Sequence, residues 1–154
     1  NTLLISLVFE GRPEGQMVET WRGIYPITSF VLEALLRKRD AVPGVEMSAQ
    51  ECTLLTAVQF WAAAAHGTLL QHLRPQAAQN LAVAQQAFAA LGAVRVVSLL
   101  RVAGTELNEH LGQSEAAIVD QLDERLSRTD DNVEDLIARY ASEIERSASS
   151  AAAG

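Results

Sequence analysis

Charge is what this sequence lacks over its longest stretch. From Cys52 to Val94, 43 residues, the only charged side chain is Arg74. Charged residues are rarely fully buried unless paired, so a segment without them is expected to be covered by protein on most sides. A transmembrane reading is disfavoured. Gln59, His66, Gln71 and His72 interrupt the first 22 residues, and Gln76, Gln79, Asn80, Gln85 and Gln86 follow. Each of these groups is costly in hydrocarbon without a partner.

Other scarcities narrow the field further. Cys52 is the single cysteine, which excludes an intramolecular disulfide and a cysteine zinc site. A buried core thiol in a reducing compartment is the expectation, with the cytoplasm as the location. Lys38 is the only lysine among twelve basic residues, and alanine is abundant, an association with GC-rich bacterial genomes. Aromatics make up only 5% of the chain, so helices are expected to approach closely through alanine. Thr2 to Phe9 is apolar but short and lacks a basic flank, so it does not read as a secretory signal. Walker, GxGxxG, GxSxG and HExxH patterns are all missing.

The net charge of −7 has an address. Eleven acids and four arginines fall between Glu109 and Arg146, a balance of −7, while the first 108 residues are neutral overall. Nucleic acid requires a basic footprint and is disfavoured as a partner. Arg37-Lys38-Arg39, the only basic run, reads as the end of a helix, where cations complement the dipole.

Periodicity predicts an all-α protein. Leu3, Ile5, Leu7 and Phe9 alternate, suggesting a short extended N-terminal arm before a turn at Arg12–Gly15. Met17–Ile24 reads as a short helix. Pro26–Asp40 is helical, with apolar Ile27, Phe30, Val31, Ala34 and Leu35, and Pro26 suits the first helical position. Ser48-Ala49-Gln50-Glu51 is a capping box opening a helix that runs to about Leu73. Pro75 starts another, with the seam Ala77, Leu81, Ala84, Phe88 and Leu91, and Gly92 ends it. Ala93–Asn108 is a further helix. Val119, Leu122, Leu126, Thr129, Val133, Leu136 and Tyr140 then repeat at spacings of three and four. That pattern fits either one long acidic helix over 114–146 or two that break near Thr129-Asp130. The reading is therefore a bundle of about five helices, a single domain over 1–147, with 148–154 as a frayed tail.

Three sets of residues are candidates for function. The seam residues Val119, Leu122, Leu126, Val133, Leu136 and Tyr140 would form an interface with a second subunit. Gln76, Gln79 and Gln86 mark an uncharged polar stripe where a solvated helix usually carries Lys and Glu, which suggests contact with protein. Gln59, Trp61 and His66 share the charge-poor helix; a satisfied core network is the better reading, and a small-molecule pocket the alternative. Asp120, Glu124, Asp131 and Asp135 are weak metal candidates. Magnesium wants oxygen ligands converging from several segments, and a solvated acidic face explains them better. The function expected is a non-catalytic interaction module (an adaptor, a chaperone-like protein or an inhibitor) acting as a homodimer without a cofactor or membrane. A basic protein is the possible partner. The alternative is a small-molecule-binding or metal-dependent hydrolase bundle using the acidic turns.

Overall fold

A computed structural model describes residues 18, 21–23, 25–41, 46–109 and 114–153. Among them are seven helices: α1 (Pro26–Ala41), α2 (Ala49–Ala65), α3 (Leu69–Leu73), α4 (Ala77–Leu91), α5 (Val94–Glu109), α6 (Glu115–Leu126) and α7 (Val133–Ala153). No described residue is in a strand, so the chain is an all-α bundle. The expected extended arm lies outside the described residues. Of the expected 17–24 helix, Val18 and Trp21 are helical and buried, whereas Arg22 and Gly23 form an exposed turn.

The helix count rises from five to seven because two expected helices are each broken once. Gly67 takes a positive φ of 70° and ends α2. Its amide donates to the Ala64 carbonyl, and the next amide, of Thr68, reaches back to Ala63. That pair of bonds is a Schellman closure, which glycine enters without strain. Gly92 repeats it at the end of α4, with φ 83° and bonds to Ala89 and Phe88. The second break lies between Leu126 and Val133. The three-and-four spacing runs through it unbroken, but Ser127–Asn132 is a connection rather than helix. Asn132, not Thr129 or Asp130, caps the new helix: its Oδ1 accepts from the Asp135 amide at 3.4 Å, and its Nδ2 donates to the Asp135 carboxylate at 2.7 Å. α7 is then helical through Ala153, with Ser147–Ser150 exposed over the expected tail.

The predicted capping box at Ser48 is present. The Ser48 amide donates to Glu51 Oε1 at 2.9 Å and the Glu51 amide to Ser48 Oγ at 3.1 Å. Cys52, expected in the core, is exposed. It sits on the first turn of α2.

The charge-poor segment forms the centre. α4 packs on α5 as an antiparallel hairpin and on α2 across its other side. The faces that meet are the predicted seam: Ala77, Leu81, Ala84, Phe88 and Leu91 are all buried. Phe60 of α2 stacks edge-to-face on Phe88 at 5.5 Å, and Trp61 meets the same ring at 6.4 Å. α5 also carries α6, while α7 lies against α1 and α2. The covering of the α2–α4 pair thus comes from this chain's own α3, α5 and α7. Arg74, the lone charge of the segment, sits on the surface, where its Nε donates to Glu115 of α6 at 2.8 Å. No helix among the described residues is long and apolar enough to cross a membrane.

α1 presents a different face to the core than its sequence suggested. Thr28, Val31, Leu32, Leu35 and Leu36 are buried, whereas Ile27, Phe30 and Ala34 are exposed. The helix carries two apolar stripes, and packing on α7 and α2 uses only one. Its basic end behaves as expected, with Lys38 and Arg39 in the last turn. Lys38 pairs with Glu51 of α2 at 3.5 Å, and Arg37 with Glu33.

Candidate functional site

The proposed C-terminal seam turns inward. Val119, Leu122, Leu126 and Val133 are each at most 2% exposed, and Leu136 and Tyr140 are half-buried. Ile137 and Ala141, at 0% exposed, complete the buried face of α7. These side chains fill the protein's own core, because α6 packs on α5 and α7 on α1 and α2. They are not a surface open to a second subunit. Heptad spacing alone did not separate the two cases, since a helix buried in its own bundle and one buried in a dimer share that period.

The glutamine stripe turns outward. Gln76, Gln79 and Gln86 are exposed along α4, together with Ala82, Ala89 and Ala90. Val83 stands among them at 49% exposed. The hairpin partner α5 adds Val94 at 71% and Val102 at 46%, two residues the sequence reading did not single out. Their signal was present: apolar residues on an amphipathic helix outside its Val96, Leu100, Ala103 and Leu107 core stripe. The outer side of this hairpin therefore combines valine, alanine, glutamine, serine and threonine. Between Gln76 and Thr105 its only charges are Arg95 and Arg101, with no acid.

Two shallow grooves flank the hairpin. One, of about 380 Å³, brings Gln76 and Gln79 beside Leu107, Asn108, Glu115 and Ile118. The other, of about 440 Å³, lies between the start of α5 and the end of α6 and is lined by Val94, Leu99, Arg125 and Thr129 among others. At that end Asp131 holds the helix start: its Oδ2 accepts from the Arg95 amide at 2.8 Å and the Val96 amide at 2.9 Å. Asp130 pairs with the Arg95 guanidinium.

The expected pocket residues do not converge. Gln59 and Trp61 are half-buried, Trp61 against Phe88, while His66 is exposed beyond the end of α2. Neither described groove contains any of the three. The acidic candidates are also dispersed. Asp120 and Glu124 are exposed on α6, and Glu124 pairs with Arg128 at 2.7 Å. Asp131 caps α5, and Asp135 accepts from the Tyr25 hydroxyl at 2.9 Å, tying the start of α1 to the first turn of α7. That bond, then burial, raises the Tyr25 pKa. Among the described residues no three His, Cys, Asp or Glu side chains gather to hold a metal ion. Among the described residues Asp123 is the one carboxylate pushed upward, first by desolvation and then by the nearby Asp120 charge. Comparison with known proteins finds no matching family model, no similar curated protein and no similar solved structure.

Proposed function

We propose that this protein is a non-catalytic helical interaction module (an adaptor, chaperone-like protein or inhibitor) that acts as a homodimer in the cytoplasm. The observation that carries the reading is the outer side of the α4–α5 hairpin, where Val83, Val94 and Val102 are exposed on two helices whose only charges between Gln76 and Thr105 are Arg95 and Arg101. Solvated helix faces ordinarily carry lysine and glutamate, and interface cores are depleted of charge. Small side chains there let two hairpins approach closely, while glutamines supply hydrogen bonds across the contact. The expected dimer surface thereby moves from the C-terminal seam to this hairpin. The acidic α6 and α7, with Asp120, Glu124, Glu134 and Glu143 exposed, offer a separate surface for a basic partner. Such an association is steered by charge and slows as salt rises.

The test is the solution mass of the wild-type chain and of Val83→Asp/Val102→Asp. Wild type is expected to be a dimer by light scattering. Burying unpaired carboxylates costs several kcal/mol, so the double variant should weaken association by at least ~30-fold while retaining helical circular dichroism. A wild-type monomer at submillimolar concentration removes the homodimer, and an undisturbed dimer in the variant removes this face.

A further inference from the structure

Two apolar stretches of this protein lie close together along the chain. One is the outward stripe of α1, where Ile27 is 52% and Phe30 64% exposed, followed by exposed Ala34 at the next heptad-like position. Phe30 is the most exposed aromatic residue of the described chain, on a helix whose other side is already packed. The other is Thr2–Phe9, outside the described residues, with six of eight side chains apolar: Leu3, Leu4, Ile5, Leu7, Val8 and Phe9.

The point where the described chain begins joins the two. Val18 and Trp21 are buried at 2% and 3% exposure. The Ser29 hydroxyl donates to the Val18 carbonyl at 2.9 Å, and the Tyr25 amide to that of Trp21. Val18 therefore lies against the first turn of α1, about a quarter to a half turn around the helix from Ile27 and Phe30. Between Phe9 and Val18 lie eight residues, Glu10-Gly11-Arg12-Pro13-Glu14-Gly15-Gln16-Met17, polar and rich in turn formers. The nine-residue step from Phe9 to Val18 has a root-mean-square span of ~17 Å and a maximum of ~30 Å. A helix is only ~10–12 Å across with its side chains, and Ile27 to Ala34 spans ~10 Å along the axis.

We propose that Leu3–Phe9 docks on the Ile27–Phe30–Ala34 stripe of α1 in its own chain. The tether gives the segment an effective concentration in the millimolar range at that stripe, ahead of any second copy at ordinary protein concentration. Docking removes the exposed Ile27 and Phe30 side chains from water against apolar side chains of the segment, which is the driving force. α1 is thus a binding surface for a short apolar peptide that the chain fills itself, separate from the α4–α5 hairpin.

Paired cysteines in the full chain test this, with Cys52→Ser removing the native exposed thiol. Ala34→Cys is combined in turn with Ile5→Cys, Leu7→Cys and Phe9→Cys; Ala90→Cys, exposed on α4, replaces Ala34→Cys in the control. At least one Ala34 pair should close an intramolecular disulfide about tenfold faster than its control. Equal rates, or predominantly intermolecular disulfides, overturn the proposal, the latter in favour of a second copy. Phe30→Asp supplies an independent arm, because an exposed position should tolerate it without loss of helical circular dichroism. Chymotryptic cleavage within residues 3–9 should then rise about tenfold with the loss of docking. Unchanged cleavage in the variant also overturns it.

Discussion

The Asp131 carboxylate accepts two amides of α5 from a connection 35 residues further along the chain. It is placed where an N-terminal helix dipole and free donors favour a negative charge. Asp131→Ala should therefore lower unfolding free energy by about 1–2 kcal/mol in urea denaturation, and Asp131→Asn should recover part of it, since asparagine accepts in the same position. Local sequence did not show this. Thr129-Asp130 marked a possible break before α7, whereas the partners of Asp130 and Asp131, the Arg95 guanidinium and the amides of Arg95 and Val96, are distant in sequence. Arg74 is a similar case: its lack of charged neighbours was visible, its pairing with Glu115 was not.

At the level of single helices, local chemistry was far more legible. The Ser48–Glu51 box specified both members of its reciprocal bonds in four consecutive residues, and the structure contains both. The Ser48 amide holds the Glu51 carboxyl below its ordinary 4.5, with Lys38 adding to the effect against desolvation. A depressed carboxylate contributes stability above its unfolded pKa, and that contribution disappears as pH falls through the folded value. Ser48→Ala should cost about 1 kcal/mol at pH 7. The stability of wild type should fall more steeply than that of Glu51→Ala as pH drops below 4.5, measured by thermal melts across an acid series. Gly67 was equally visible as a residue, yet a glycine within an apolar helical pattern does not announce a stop. Only the Schellman bonds, from the Gly67 amide to Ala64 and from the Thr68 amide to Ala63, identify it as one.

Across the whole molecule the decisive matter is which apolar faces meet. Ile137 is fully buried where α7 lies in the same core as the α1 and α2 side chains. Ile137→Ala should cost about 2–5 kcal/mol, a large share of the ~5–15 kcal/mol that holds a domain together. Because the contact is within one chain, that loss should be the same at low and high protein concentration; a concentration-dependent loss would return the C-terminal seam to the dimer interface. The charge-poor α2 and α4 are likewise covered by helices of their own chain, while α4 leaves its glutamine side open.

The sequence by itself determined the helical class, the central place of the charge-poor segment, the α4 seam and two helix ends, at Ser48 and Gly92. Each follows from residues within a few turns of one another, where 3.6-residue periodicity and capping chemistry act directly. Tertiary structure decided which stripe of α1 faces inward, that Val119, Leu122, Leu126 and Val133 belong to the core, and that Asp131 caps the distant α5. Those outcomes depend on which of several similar apolar or acidic faces finds a neighbour distant in sequence, and the hydrophobic effect that drives the choice is non-directional.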